Sequence, residues 1–427
     1  MKKFYYYFLI LGIFWSPLYA QEKKMERAAE AIANNSYAEA KEILWPMTKK
    51  GRQSAELYAQ LADSYYAMGE LPKAAFWYQK QFFQEGEPEA EAYFRYAHSL
   101  KSIGNTTKAD SLMNIFARKA RGQKRAALIE SRFAGKAAEG TTSYEVKIMP
   151  FNSERSDYAP AFYQEKLVFA SARDTGNFYK RIHKWDHEFF TDFYSTDPES
   201  HSSEPEKIPE LNSNFHESTA VFTKDGKTVY FTRNNYERGR KRDAKGVTRL
   251  KIYRAELDSH GKWQNIEALP FNSSSYSVAH PALNAEEDQL FFASDMPGGK
   301  GQSDLYVVAI HPDGSFGPVK NLAHLNTEAR ETFPFMSTSG ILYFASDGYP
   351  GYGGLDIFKT TPELESSVEN LGKPVNSKFD DFSLILDPSG ETGYFASNRP
   401  GTGSDDIYSF RKLEKSPNCE RHQDEME

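Results

Sequence analysis

Two periods of apolar residues divide the chain. Up to about residue 117 apolar positions recur at helical spacing, as in Tyr58, Leu61 and Tyr65. Three stretches align there: Asn35 to Ala40, Gly69 to Ala74 and Gly104 to Ala109, with their final alanines 34 and 35 residues apart. Each reads as a turn that opens a new helix, and the small residues Ala62 and Ala97 lie where paired helices must approach closely. A further helix from about Ala117 to Ala137, carrying Arg118, Lys119, Arg121, Lys124 and Arg125, is expected to cap the open end.

Beyond residue 140 the period shortens to that of strands. Five apolar-Asn turns, at Asn152, Asn212, Asn272, Asn326 and Asn376, are spaced by 60, 60, 54 and 50 residues. Each introduces a short strand such as His280 to Leu283. A strand rich in β-branched and aromatic residues follows, such as Leu290 to Ser294 or Tyr394 to Ser397. After it come a glycine-rich loop and an Asp-apolar-aromatic strand, as in Asp304-Leu305-Tyr306, Asp356-Ile357-Phe358 and Asp406-Ile407-Tyr408. A fourth strand, such as Trp263 to Leu269, returns the chain to the next Asn turn. Four antiparallel strands repeated five times predict a five-bladed β-propeller. The fifth repeat lacks its fourth strand and Tyr144 to Met149 is an unassigned strand before the first turn, so strand 144–149 is expected to pair with the last blade and close the ring. The fold class is thus α + β multidomain, a helical repeat domain followed by an all-β propeller.

On the period, turns and small residues quoted, the helical half resembles the tetratricopeptide repeat in three copies over residues 22–117. The strands ending in Tyr-Phe-Ala-Ser, followed by a glycine-rich loop and Asp-Ile-Tyr, best seen at residues 394–408, resemble the WD-repeat-like, TolB-type propeller repeats of bacterial periplasmic proteins. The combination is similar to Bacteroidetes envelope proteins, some serving type IX secretion and gliding, that continue into an OmpA-like peptidoglycan-binding domain. This chain shows no such domain after the propeller, so direct wall anchoring is not expected.

Composition locates rather than identifies. The start, Met1-Lys2-Lys3, an apolar run from Phe4 to Trp15 and Ala20 at a cleavage position, reads as a secretory signal over residues 1–20. The remaining divisions are helical repeats with their cap at 21–140, propeller at 141–413 and a polar tail at 414–427. No membrane span is expected after cleavage, and the location is periplasmic, with peripheral association at the outer membrane or cell wall. The single cysteine, Cys419, excludes a disulfide framework and a multi-cysteine metal site. The net charge of −7 argues against nucleic-acid binding; it averages +4 over residues 21–140 with −13 over 141–427 and +2 in the signal.

Candidate chemistry is sparse. The repeated Asp304, Asp356 and Asp406 are expected to hold loop N–H groups once per blade rather than act as catalytic acids, and the Asn series to bond its own backbone in left-handed turns. The glycine-rich loop Pro297 to Gly301 lacks the following helix of a phosphate cradle. Tyr58, Tyr65, Tyr93 and Tyr96 are candidates for a peptide-holding groove on the helices. The long loops of blades one and two, 173–191 and 234–249, carry Trp185 on one side and Arg238, Arg240, Lys241 and Arg242 on the other, an aromatic loop beside a basic one. His183 and His187 have metal-ligand spacing but no third partner, and neither metal nor cofactor is expected. The function these features suggest is a non-catalytic envelope scaffold binding protein partners. The alternative is a propeller glycosidase-like hydrolase or a glycan-binding module.

Overall fold

The computed structural model describes residues 19–133, 143–173, 182, 183, 185, 188–200, 204–235, 242–244, 246–362 and 368–413. By packing the chain divides into two compact units. One runs to Lys119 and takes in short segments within 181–188 and 245–247; the other holds the rest.

The first unit is helical: α1 (19–33), α2 (Tyr37–Lys49), α3 (Ala55–Ala67), α4 (Leu71–Phe82), α5 (Ala90–Ser102) and α6 (Thr106–Lys119). The three aligned turns share one geometry. Asn35, Gly69 and Gly104 have φ of 54°, 73° and 79°, and the next residue's N–H donates to a carbonyl five positions back, Ala31, Tyr65 and Leu100. That is the left-handed helix stop that favours glycine. Pro72 sits at the start of α4, where its missing N–H costs nothing, and the Ser54 hydroxyl caps α3 by accepting from the Leu57 N–H. Ala62 and Ala97 are fully buried, as expected of close helix approach. Asp63 joins three helices, accepting from the Tyr78 hydroxyl at 2.6 Å and from Arg95 at 3.0 Å.

The second unit is a five-bladed propeller of five four-stranded antiparallel sheets. The innermost strands are Asp157–Tyr163, Glu217–Phe222, Val278–Leu283, Glu331–Met336 and Asp381–Leu386. Strand Tyr144–Ile148 pairs antiparallel with Asp406–Lys412, in the sheet that also holds Phe395. Between blades the core is aromatic: Phe169, Phe231, Phe292, Phe344 and Phe395, one from the second strand of each blade, are all buried to 1% exposure or less. Burial of such rings supplies most of the driving force for stacking blades that cannot fold alone.

The last helix is a correction. The sequence placed it as the cap of the helical repeats, but α7 (Lys124–Phe133) belongs to the propeller unit. Glu328 accepts from the backbone N–H groups of Lys124 and Arg125 at 2.8 and 3.1 Å, a carboxylate on the helix's positive end. The Lys124 ammonium donates to the carbonyls of His324 and Asn326 and to the Tyr349 hydroxyl. Its half-buried position is therefore fixed by blade four.

Candidate functional site

The residues that repeat from blade to blade are consumed by the fold. Asp304, Asp356 and Asp406 accept from the loop N–H groups of Lys300 and Gly301, Tyr352 and Gly353, and Thr402 and Gly403. The glycine before each of these pairs, Gly299, Gly351 or Gly401, is required because a Cβ there would strike the Asp carboxylate. The loops that look like phosphate cradles are thus built around their own anion. The Asn series is corrected. None of the five has a positive φ. Asn152 and Asn272 do bond their own turn, at the carbonyls of Met149 and Leu269, but each of the five side chains also reaches the preceding blade, pairing with both N–H and carbonyl of one third-strand residue: Asn152 with Ile407, Asn212 with Phe193, Asn272 with Ile252, Asn326 with Leu305 and Asn376 with Ile357.

A second set of carboxylates starts the innermost strands of four blades. Asp157, Glu217, Glu331 and Asp381 are all fully buried. Each accepts from the Ser or Thr after its blade's Asn: Ser153, Ser213, Thr327 and Ser377. In blades one, two and five an arginine, Arg173, Arg233 or Arg399, pairs with the carboxylate and also donates to a turn carbonyl. Blade four uses the Tyr349 hydroxyl on the Leu325 carbonyl instead. Burial pushes the Glu217 and Glu331 carboxyls up to about 7.

Further along the same strands lies a cavity of about 380 Å³. Each innermost strand has a register shift around its third residue, Ala159, Thr219, His280, Phe333 or Ser383, where its pairing with the second strand slips by one. Four of these five hold positive φ, between 49° and 59°, a strained state for non-glycine residues and one that clusters at functional sites. Proline follows in three blades, at Pro160, Pro281 and Pro334, removing an N–H that the bulge would leave unpaired. The wall beyond is mostly apolar, with Phe162, Phe222, Leu283 and Met336, and Lys224, Asn284 and Glu287 stand toward the turns between first and second strands. Among the described lining residues Glu287 is the only carboxylate.

The candidates from sequence do not gather here. Tyr58, Tyr65, Tyr93 and Tyr96 are buried, none above 9% exposure. Tyr58 stacks on Trp77, and Tyr93 and Tyr96 pack on Phe82, so they hold helix to helix rather than line an open groove. Trp185 packs within the helical unit, donating its indole N–H to the Ala67 carbonyl at 2.9 Å and meeting the Tyr37 ring edge-on. Arg242 is exposed, while Arg238, Arg240, Lys241, His187 and Cys419 lie outside the described residues. No group of three metal-ligating side chains occurs among the described residues. Sequence reasoning missed Trp45 and Phe76 on the helical unit, 39% and 50% exposed, with the Lys49 and Lys80 ammoniums 4.9 and 5.1 Å from their ring centres.

No protein-family model matches the chain, and no curated protein matches it by sequence. Solved structures of similar shape include an alpha-L-arabinofuranosidase from Lactobacillus brevis, at 12% identity, TM-score 0.43, over 64% of this chain and 94% of that one. Others are a thermostable family-43 glycoside hydrolase, at 14%, 0.39, 61% and 91%, and an oligogalacturonate lyase, at 10%, 0.32, 65% and 99%. With enzymes among these neighbours, the expectation of a non-catalytic chain is withdrawn. At such identities and scores the likeness assigns no reaction.

Proposed function

We propose that the protein is a ligand-binding propeller of the bacterial envelope, whose channel cavity takes an apolar group of a small molecule or chain end. The observation that carries this reading is the cavity itself: five first strands bulge at one level and leave an apolar-walled space instead of packing it shut. The secretory-type start of the sequence supports the location. The left-handed stops at a spacing of 34 and 35 residues support tetratricopeptide-type repeats. The exposed Trp45 and Phe76 with their lysines support a protein partner on the helices. The pairing of Tyr144–Ile148 supports a ring closed by that strand.

The test is titration with phenylnaphthylamine, a dye that brightens in apolar surroundings. One saturable site is expected in the wild type, and at least tenfold weaker binding in a folded Ala161→Phe variant, which fills the cavity wall. Dye binding that ignores this substitution removes the cavity from the reading. Nitrophenyl arabinofuranoside carries an aromatic ring on a sugar, and release of nitrophenol would make the site hydrolytic.

A further inference from the structure

Three residues that depart from the repeat meet at the base of the cavity. Thr232 stands where the other blades carry Ala170, Ala293, Ala345 and Ala396. Thr219 is the one bulge residue without a positive φ, and His280 is the one bulge residue with an ionisable side chain. Their polar atoms form a closed circuit: the His280 N–H donates to Thr232 Oγ1 at 2.9 Å, Thr232 Oγ1 lies 2.8 Å from Thr219 Oγ1, and Thr219 Oγ1 lies 3.2 Å from His280 Nδ1.

The circuit has a direction. Thr232 is fully buried, its hydroxyl oxygen accepts from the His280 N–H, and Thr219 Oγ1 is the acceptor within reach of its proton among the described residues, so satisfying that proton directs it to Thr219. Thr219 then donates to Nδ1, which is thereby the unprotonated ring nitrogen, and the ring proton resides on Nε2. No described residue partners Nε2, and it is not among the buried atoms left unsatisfied, so it is reached from the cavity that His280 lines. The ring is held in place by Phe333, with centroids 3.9 Å apart.

Resting on the cavity reading above, we infer that His280 is a recognition residue, its Nε2–H donating to an oxygen acceptor on an otherwise apolar, uncharged ligand. An aryl ketone, ester or lactone has this chemistry. Burial pushes the imidazole down to about 3, so the group stays neutral at physiological pH and offers an anion no countercharge. A carboxylate or phosphate ligand is disfavoured on this ground.

The experiment compares acetylnaphthalene with isopropenylnaphthalene, isosteres with and without the oxygen, by equilibrium dialysis against wild-type protein and His280→Phe. Phenylalanine already occupies the matching bulge position at Phe333, with φ of 49°, so the backbone accommodates it. The ratio of ketone to hydrocarbon affinity is expected to fall roughly tenfold in the variant while the hydrocarbon still binds, the size of one net hydrogen bond. An unchanged ratio with both probes binding overturns the assignment of His280 and leaves the cavity. Failure of both probes to bind the wild type overturns the cavity reading and this inference with it. Should His280→Phe not fold, nitrogen NMR of the wild-type imidazole at neutral pH decides: a proton on Nε2 is expected, and one on Nδ1 refutes the circuit.

Discussion

At the amino-terminal end of the innermost strands, in four blades, a fully buried carboxylate accepts from the Ser or Thr of its own blade's turn. Further along the same strands, the walls part and an imidazole nitrogen has no partner among the described residues. Both ends are built from ionisable groups on the same scaffold, so burial alone does not mark a site. What separates them is repetition. An arrangement made in four of the five blades serves what those blades share, namely holding the turn to the strand. An arrangement made once, from Thr219, Thr232 and His280, serves nothing that the other blades also need.

The sharpest way to break this contrast is at the satisfied end. Arg399→Met leaves the fully buried Asp381 without its cation and frees the Val375 carbonyl. A loss of about 3–5 kcal/mol in urea unfolding is expected, the range for breaking one side of a buried pair. A loss below about 1 kcal/mol would mean that the clips are ornamental and the contrast is empty.

A smaller effect comes from Glu331, whose folded value of about 7 lies above the ordinary 4.5. The folded protein then holds a proton that the unfolded chain has released, so its stabilisation is present below about pH 4.5 and is lost as pH rises through 7. Unfolding free energy should fall by on the order of 1–3 kcal/mol between pH 5 and 8, and Glu331→Gln, which mimics the protonated group, should flatten that slope in part. Glu217 contributes in the same sense, so some slope remains.

The smallest effect tests strain at the bulges. Ala159 has φ of 55° and no side-chain hydrogen bond to lose. Ala159→Gly is expected to raise stability by about 0.5–1 kcal/mol, read as a higher melting temperature. A destabilised variant would show that the bulge is not strained.

Much of the propeller was legible because its signals are periodic: the Asn turns, the Ala-Ser strand ends and the Asp-apolar-aromatic strands each recur at fixed offsets. Their partners were not legible. Nothing at Asn376 announces that its amide will bridge Ile357 of the blade before it, since that bond depends on how sheets stack and not on neighbours in sequence. The last helix was assigned by adjacency to the repeats, whereas Glu328, some two hundred residues away, holds its amino terminus. The cavity was missed for a related reason. His280 reads as one residue of a short apolar strand, and only superposed blades reveal that it shares a level with Thr219 and Phe333. The signal that could have found it was the Thr232 departure from alanine, which is visible in the aligned strands. The tyrosines of the helices were misplaced because helical spacing says which residues share a face, not whether a neighbouring helix covers that face.

The bond from the Ser409 hydroxyl to the Lys147 carbonyl spans 262 positions of chain. Nearly the whole propeller must emerge before the strand at Tyr144–Ile148 can find its neighbour, and until then that strand is an open edge. Contacts of such long range make folding slow, so the growing polypeptide is exposed to proteases and to mispairing longest at the seam where its first and last strands meet.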